Sequence, residues 1–232
     1  MPRPFGETQL KNTTLEVLLL PYRSRTVTEQ TITLAGDATT GATSISATAE
    51  ASTTIKAGTG LSFSGNDRRH VLVIEDATVA TTATDITISP AIADISAAST
   101  ATFITGLVPL FGIQEFNYAT QPQEVDTTNL QSGSGMESVL VRSDRTYDVS
   151  GITIPGDEAL FKIIKPVAED DALFGREVYF VCTTPDGEVR RGAAKVKNFS
   201  ESGNQNEVKR YSFQLQVQGS SFVRISPHIM SA

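Results

Sequence analysis

The side chains that do most enzyme chemistry are scarce in this chain of 232 residues. Its two histidines, His70 and His228, and its single cysteine, Cys182, are the candidates for a general base and a nucleophile. A nucleophilic thiol needs a base within hydrogen-bond reach and surroundings that favour the thiolate. Cys182 instead stands inside an apolar run, His70 follows two arginines at a predicted turn, and His228 is four residues before the last one. We therefore predict a buried structural thiol and two structural histidines.

Two further patterns are of the kind that binds ions, but both lack the required spacing. Glu169, Asp170 and Asp171 are consecutive, whereas a calcium loop places its oxygen ligands at alternate positions. The Gly-Ser-Gly segment at 133–135 has neither the lysine nor the strand–helix setting of a phosphate-binding loop. No pair of cysteines or histidines has the spacing of a metal site. The sequence thus predicts no catalytic residues, no metal and no cofactor, and we expect a protein that is not an enzyme.

The charge and composition exclude several other classes of protein. Lysine and arginine number 19 against 26 aspartates and glutamates, which gives a net charge of −7 and does not suit a protein that neutralises nucleic-acid phosphates. One cysteine cannot form a disulfide scaffold. No apolar run reaches the roughly 18 residues that a membrane-spanning helix needs, and the first residues contain no apolar signal segment. We expect a soluble, acidic protein of a reducing compartment that makes no membrane contact.

Residues 27–105 differ in composition from the rest of the chain. They hold 18 of the 29 threonines, and three basic against eight acidic residues give them a charge of 3 − 8 = −5, which leaves −2 for the remainder. Threonine, valine and isoleucine favour strands, and turn residues separate short alternating runs here. We predict a small inserted all-β domain that faces solvent. The alternative, a disordered Thr/Ala linker, is disfavoured by the regular apolar positions.

The flanking segments, 1–26 and 106–232, are predicted to form one larger β domain. Apolar and polar residues alternate over 208–218, which is the pattern of a strand with one solvated face. Strands are predicted at 15–20, 113–125, 145–154, 178–184, 189–199 and 208–218, of which 178–184 is apolar throughout and is therefore expected to be central. The spacing of Leu160, Ile163, Ile164 and Val167 predicts one helix over 157–165, which Pro166 should end or kink.

A polar, Gly/Ser-rich segment from Asp126 to Arg142 is predicted to link two of these strands as a long loop. Connections of this length are usually functional or mobile. Either a mobile surface loop or a binding contact fits the segment, and its apolar residues favour the contact. The candidate contact residues are Asp126, Thr127, Thr128, Asn129, Leu130, Met136, Glu137, Val139, Leu140 and Arg142.

The order of motifs between 113 and 218 resembles that of the major tail tube proteins of tailed bacteriophages. The similar motifs are Glu-Val-Asp-Thr-Thr at 124–128 before the Gly/Ser-rich loop, Tyr-Asp-Val-Ser-Gly at 147–151, and Asn-Phe-Ser-Glu-Ser-Gly at 198–203 before Tyr-Ser-Phe-Gln-Leu-Gln at 211–216. Each motif is loose, and the resemblance lies in their order. The Thr-rich segment 27–105 departs from the family's minimal pattern and is similar to the small β insertions that some tail proteins display outward.

The resemblance implies a mainly β fold, a β-sandwich or barrel with one short flanking helix, to which the small inserted all-β domain is added. It implies a structural virion protein that forms hexameric rings, which stack into the tail tube through which DNA is ejected, with 126–142 as the inter-ring and inter-subunit loop. The implied partners are further copies of the chain, the tape measure, tail terminator and baseplate or tip proteins, and viral DNA that passes without specific binding. The implied location is the virion tail, assembled in the host cytoplasm. Alternatives are a virion-associated binding or decoration module and a tube subunit of a contractile secretion-type system.

Overall fold

The computed structural model of the chain is mainly β, as the sequence predicts. It describes residues 13–22, 24–63, 70–91, 94–126, 138–173, 175–184, 188–203, 208–219 and 223–225. The strands of these residues are β1 (Thr14–Leu19), β2 (Glu29–Leu34), β3 (Ser44–Ala49), β4 (Thr53–Ile55), β5 (Gly60–Ser62), β6 (His70–Leu72), β7 (Ala77–Val79), β8 (Thr84–Thr87), β9 (Thr100–Ile104), β10 (Val108–Leu110), β11 (Ile113–Asp126), β12 (Ser138–Ile152), β13 (Glu177–Thr183), β14 (Val189–Ser202), β15 (Arg210–Val217) and β16 (Val223–Ile225).

The largest sheet is antiparallel and follows the order β10-β1-β13-β14-β15-β12-β11, with β16 paired to β14. Its two edge strands, β10 and β11, are consecutive in the chain and only Phe111 and Gly112 separate them. The sheet must therefore curl until these two strand ends meet, in the manner of a barrel. Gly112 fits this junction because its φ is +73° and an added Cβ would lie 2.3 Å from the carbonyl oxygen of Ile152.

One face of the sheet, here called the helix face, is covered by a short helix α1. This helix has a π-helical segment, Ala159–Ile164, that continues into an α-helical segment, Lys165–Glu169. The four apolar residues whose spacing predicts the helix are buried, whereas Phe161 is exposed. The alternation along β15 is confirmed by three buried residues on the same face. The core of the helix face includes Leu15, Val17, Tyr147, Val149, Leu160, Ile163, Ile164, Val167, Val178, Phe180, Tyr211, Phe213 and Leu215.

Of the two outcomes predicted for Pro166, an end or a kink of the helix, the end is not observed, because the helix continues to Glu169. The change from π to α geometry comes at Lys165, so Pro166 lies in the first turn of the α-helical segment. The Lys165 N–H donates to the Leu160 carbonyl oxygen, five residues back, so a π-helical hydrogen bond closes immediately before the proline. Within the described residues, no helix is long and apolar enough to cross a membrane.

Strands β2–β9 pair among themselves and have a separate apolar core. They form a four-stranded sheet of order β8-β3-β2-β9 and two short pairs, β4-β7 and β5-β6. Their core includes Ile32, Leu34, Ile45, Ile55, Leu61, Phe63, Val71, Val79, Ile86, Ile88 and Phe103. We call the module from β2 to β9 the insertion. The division of the chain into domains at 27 and 105 stays a prediction, which this pairing supports.

The insertion leaves and rejoins the large sheet between two paired strands. Leu15, Glu16 and Val17 of β1 are the antiparallel partners of Leu110, Pro109 and Val108 of β10. The insertion therefore takes the place of the turn in a β-hairpin. A third apolar cluster lies on the opposite side of the sheet from α1, which we call the insertion face, and it joins Leu18, Leu20, Tyr179, Val181 and Ala193 of the sheet to Val27, Ile104 and Leu107 of the connecting segments.

Candidate assembly site

Strands β11 and β12 extend well beyond the sheet to which they belong. β12 pairs with β15 only over Thr146–Ile152, whereas its pairing with β11 continues from Arg145 to Ser138. These eight further residues correspond to about 27 Å at 3.4 Å per residue. We call the two-stranded ribbon formed by 120–126 and 138–145 the arm. It projects from the sheet with neither strand supported by a third one among the described residues.

The arm has no buried face along β11. Every residue from Thr120 to Asp126 is exposed, whereas a strand that covers a core alternates between buried and exposed positions. Val125 is 53% exposed, a large apolar side chain with no cover. A proline, Pro122, is tolerated because β11 is an edge strand. An isolated two-stranded ribbon is marginally stable at best in water.

A cluster of aromatic rings fixes the root of the arm, where it leaves the sheet. The ring of Tyr147 on β12 is fully buried and lies 5.1 Å from Phe116, 4.9 Å from Tyr118 and 5.2 Å from Phe180, measured between centroids. Arg190 of β14 lies over the Tyr118 ring at 4.6 Å from its centroid and pairs with Glu188. Such ring and cation–π contacts contribute about 0.5–1.5 kcal/mol each. The direction in which the arm leaves the sheet is therefore set by packing.

The predicted loop 126–142 is too long at both ends. Asp126 is the last residue of β11 and pairs with Ser138, and Val139, Leu140 and Arg142 belong to β12, which begins seven residues earlier than the predicted strand at 145. The structure therefore corrects these four candidates from loop to strand. The prediction failed because the start of β12 follows directly on a polar, Gly/Ser-rich segment and is not separated from it by turn residues. The remaining candidates lie outside the described residues: Thr127, Thr128, Asn129, Leu130, Met136 and Glu137.

Asp157 ties the junction between the two edge strands to the helix. Its buried carboxylate accepts hydrogen bonds from the Phe111 N–H at 2.9 Å and from the Leu160 N–H at 3.1 Å. The Tyr211 hydroxyl donates to the Phe111 carbonyl oxygen at 3.0 Å. Burial raises the pKa of Asp157, and the hydrogen bonds from backbone N–H groups oppose that shift. The link between Asp157 and Phe111 joins residues 46 positions apart and has no sequence signal.

Glu16 on the insertion face is a buried carboxyl group that the sequence did not single out. It is 2% exposed, and the hydroxyl of Thr59 and the N–H of Gly60, both from the insertion, hydrogen-bond to it. Its Oε1 has no hydrogen-bond partner among the described residues. Burial raises the pKa of Glu16 to about 8, so the carboxyl is mostly protonated at pH 7. The insertion therefore packs against the sheet at a carboxyl group that is mostly uncharged at pH 7.

Two ion pairs also hold the insertion's connections against the sheet. Arg25 makes a bidentate pair with Glu177 of β13, at 2.5 and 2.6 Å. Arg191 of β14 pairs with Glu29, the first residue of β2, at 2.6 Å. Both pairs are partly exposed, and we expect each to add less to stability than the apolar cluster between them.

Of the residues that the sequence offered for chemistry, those that the structure describes are not brought together into a catalytic arrangement. Cys182 is fully buried, and burial raises the pKa of its thiol to about 12, so it is a core thiol as predicted. Asp170 accepts a hydrogen bond from the Ala172 N–H, which is a turn contact. His228, the 133–135 segment and the side chain of His70 lie outside the described part of the chain. Within that part, no group of three or more His, Cys, Asp or Glu side chains could hold a metal ion.

The comparison with known proteins gives a partial likeness in fold. No family model and no curated protein matches the chain. One similar solved structure is described as the tail of an empty gene transfer agent particle with C6 symmetry. The match covers 52% of this chain and 87% of the chain in that structure, at 17% sequence identity and a TM-score of 0.43. Another, the virion of a native gene transfer agent particle, is 18% identical, covers 50% and 88%, and has a TM-score of 0.42. Both structures are described as parts of gene transfer agent particles, one as a tail and the other as a virion.

Proposed function

We propose that this protein is a structural subunit of a virion tail that polymerises as stacked hexameric rings into the tail tube, the conduit for DNA ejection. The observation that carries the proposal is the arm, about 27 Å of β-ribbon in which the β11 strand has no buried residue. The order of sequence motifs supports it independently. The partners are other copies of the chain and the proteins that start, measure and end the tube, and assembly takes place in the host cytoplasm.

The physical case begins with the unsatisfied edge of the large sheet. Over its 14 residues, β11 pairs with β12 on one side and with no other described strand on its other side. A long exposed edge strand invites pairing with another chain, and natural proteins normally cover or block it. A ring of identical subunits removes such edges because each copy supplies the missing neighbour of the next. The arm then gains a buried face only in the assembly, which couples its stability to polymerisation.

The distribution of charge fits passage of DNA without retention. The segments outside 27–105 carry a net charge of −2, and the −5 of the Thr-rich segment accounts for most of the total. A nearly neutral tube wall neither binds phosphates tightly nor repels them strongly. We propose that the insertion lies on the outside of the tube, where its charge favours solubility.

Electron microscopy of the purified protein tests the proposal, with a matched pair of substitutions to locate the contact. Val125 on the arm and Ile74 on the insertion are exposed to 53% and 51%, so Val125→Asp and Ile74→Asp make the same change in equally exposed places. We expect rings or tubes from the parent and from Ile74→Asp, and folded subunits that do not polymerise from Val125→Asp. A parent protein that stays monomeric with tail initiation components present would refute the proposal.

A second variant removes the arm and keeps the sheet. Thr120 and Arg145 are partners in the ladder, so an Asn-Gly turn between them can replace residues 121–144 without altering the pairing of β12 with β15. We expect a folded monomer with the circular dichroism of a β protein and no tube growth. Tube growth at the parent's rate would show that the arm is not the assembly element.

One feature of the insertion favours a second role in binding or decoration. Threonine hydroxyls lie side by side on its solvent face, with Thr31 and Thr102 3.4 Å apart and Thr54 and Thr78 3.2 Å apart. Such a surface offers many donors and acceptors and no exposed aromatic ring for stacking on a sugar. Binding of the full-length protein to host cells or to a glycan array, lost in Thr31→Lys but not in Ile74→Asp, would favour this role.

A further inference from the structure

The insertion contains two segments that repeat the same order of turn residues, strands and buried apolar residues. The motif Asp-Ala-Thr occurs at 37–39 and again at 76–78. Strand β3 follows the first motif and β8 follows the second, each after a connection that contains threonine and alanine. We call residues 31–63 the first half of the insertion and residues 70–103 the second half.

Backbone hydrogen bonds between the halves occur twice, at corresponding residues. The Leu34 N–H donates to the Ser99 carbonyl oxygen at 2.9 Å. At the corresponding place, the Val73 N–H donates to the Thr59 carbonyl oxygen at 3.0 Å. These bonds extend the pairing of β2 with β9 and of β6 with β5, in which the first strand of each half is the partner of the last strand of the other. Each half therefore completes the sheet of the other, as the two subunits of a symmetric dimer do.

Two aspartate side chains repeat this exchange at the turns. The Asp37 carboxylate of the first half accepts a hydrogen bond from the Ala97 N–H of the second half at 2.7 Å. The Asp76 carboxylate of the second half accepts a hydrogen bond from the Ala57 N–H of the first half at 2.8 Å. Both aspartates belong to the repeated Asp-Ala-Thr motif, so the motif supplies the same contact in both directions.

A pseudo-two-fold axis relates the halves and passes between β3 and β8. Ile45 is the ladder partner of Ile86, and an exchange of the two halves leaves this pair in place. The core of the insertion has the same symmetry. Its other buried apolar residues form the corresponding pairs Ile32 and Val71, Leu34 and Val73, Ala38 and Ala77, Ala47 and Ile88, Ile55 and Ile95, Leu61 and Ala101, and Phe63 and Phe103.

We infer that the insertion is a fused dimer of two equivalent halves, and that the surface by which one half binds the other fits a second copy of the same half. Strands β2, β3, β4 and β5 of the first half pair with β9, β8, β7 and β6 of the second. A half on its own would leave these strand edges unpaired, and a partner with the same fold covers all of them. This pairing concerns the insertion alone and does not depend on tube assembly.

A symmetric variant of the full-length chain, in which both halves have the sequence of the first, tests the inference. Residues 31–63 replace residues 70–103, so the surface of the first half must bind a copy of itself. The contacts of Thr59 and Gly60 with Glu16 come from the part that is unchanged. Hydrogen exchange followed by mass spectrometry is the measurement. Peptides from the two identical halves have the same mass, and we expect one population whose protection is within about tenfold of that of β3 in the parent.

The matched control has the sequence of residues 31–63 in reverse order at the same place. Its composition and length equal those of the symmetric variant, but its turn residues and apolar positions no longer correspond to those of the first half. We expect β3 to exchange at least about a hundredfold faster in this control than in the parent, because β3 has lost the pairing that β8 provides.

A smaller exchange tests the same correspondence with six substitutions. Thr-Ile-Thr-Leu-Ala-Gly, the sequence of 31–36, replaces residues 70–75 and places isoleucine and leucine at the buried positions of Val71 and Val73. Its control places the sequence of 30–35 there, one residue out of register, which turns both apolar side chains to the opposite face. We expect a thermal midpoint within about 5 °C of the parent for the first variant and a loss of more than about 10 °C for its control.

Two results would overturn the inference. One is a symmetric variant that exchanges as fast as the reversed control, and the other is an in-register graft that is as unstable as the out-of-register graft. Protection of both halves in the symmetric variant, with the reversed control unprotected, would support it. These measurements report the folding of the insertion within the subunit, so a failure of the tube proposal leaves their outcome unchanged.

Discussion

Replacing Glu16 by glutamine should remove a pH dependence of stability that one buried group causes. The folded protein holds the pKa of Glu16 at about 8 because the group is buried, whereas the pKa of an unperturbed glutamate is 4.5. Glutamine has the same shape, keeps an oxygen that accepts from Thr59 and Gly60, and cannot ionise. The substitution therefore isolates the titration from the packing.

The sign and size of the effect follow from proton linkage. Because the pKa is higher in the folded state, the folded protein binds the proton more tightly, and stability falls as the pH rises from about 4.5 toward 8. A pKa raised from 4.5 to about 8 corresponds to a loss of roughly 3 kcal/mol in the free energy of unfolding between pH 5 and pH 8. In Glu16→Gln this part of the loss should vanish. The free energy of unfolding of the variant should therefore rise relative to that of the parent as the pH increases.

Urea denaturation at pH 5, 6, 7 and 8, followed by circular dichroism, measures the difference between parent and variant. Glu158→Gln is the control, since Glu158 is an exposed carboxyl whose pKa is lowered by its hydrogen bond with Lys162 and which stays ionised in this range. We expect the free energy of unfolding of Glu158→Gln to change with pH in the same way as that of the parent. If Glu16→Gln loses stability between pH 5 and pH 8 as steeply as the parent, the buried carboxyl does not titrate and the reasoning fails.

Three more predictions concern the large sheet. Cys182 should react with a thiol reagent only after unfolding, because it is fully buried with a thiol pKa of about 12, and absorbance with and without denaturant will show this. Gly151→Ala should lower stability by about 3 kcal/mol, since its Cβ would lie 2.4 Å from the Gly112 carbonyl oxygen, and thermal unfolding measures the change. Asp157→Ala should cost about 2 kcal/mol through the lost acceptor for two N–H groups, with Asp157→Asn less damaging; equal losses in the two variants would contradict the hydrogen-bond account.

The strands that cover the core were predictable because burial leaves a pattern in the sequence. Along β15, Tyr211, Phe213 and Leu215 alternate with polar residues, and each is 3% exposed or less. The apolar run of β13 marks a strand with neighbours on both sides and buried faces, and the structure places it between β1 and β14. The helix also follows its spacing, although the π-helical geometry of its first segment has no sequence signal that we can name.

The second strand of the arm and the buried acid were missed for different physical reasons. The predicted strand at 113–125 covers the β11 half of the arm, whereas Ser138–Asp144 of β12 follows a polar, Gly/Ser-rich segment and resembles a continuation of that loop. Glu16 alternates with Leu15 and Val17, so it looks like the solvated side of an amphipathic strand. What buries it are Thr59 and Gly60, more than forty positions away, and only the three-dimensional arrangement supplies that cover. A local sequence pattern predicts which face of a strand is buried in the sheet's own core. It does not predict the burial that a distant segment adds by packing on the other face.

The insertion is attached between two strands that pair with each other, so the segment at this position can change in length without changing the large sheet. Because β1 and β10 are held together by their own ladder, the ends of the inserted segment are already adjacent, and lengthening it adds little closure entropy. The large sheet can therefore tolerate loss, replacement or enlargement of this segment while its strand order is unchanged. Polar substitutions at Leu18, Tyr179 and Val181 would have to accompany its removal. The same hairpin is accordingly a natural place to graft a foreign domain for display.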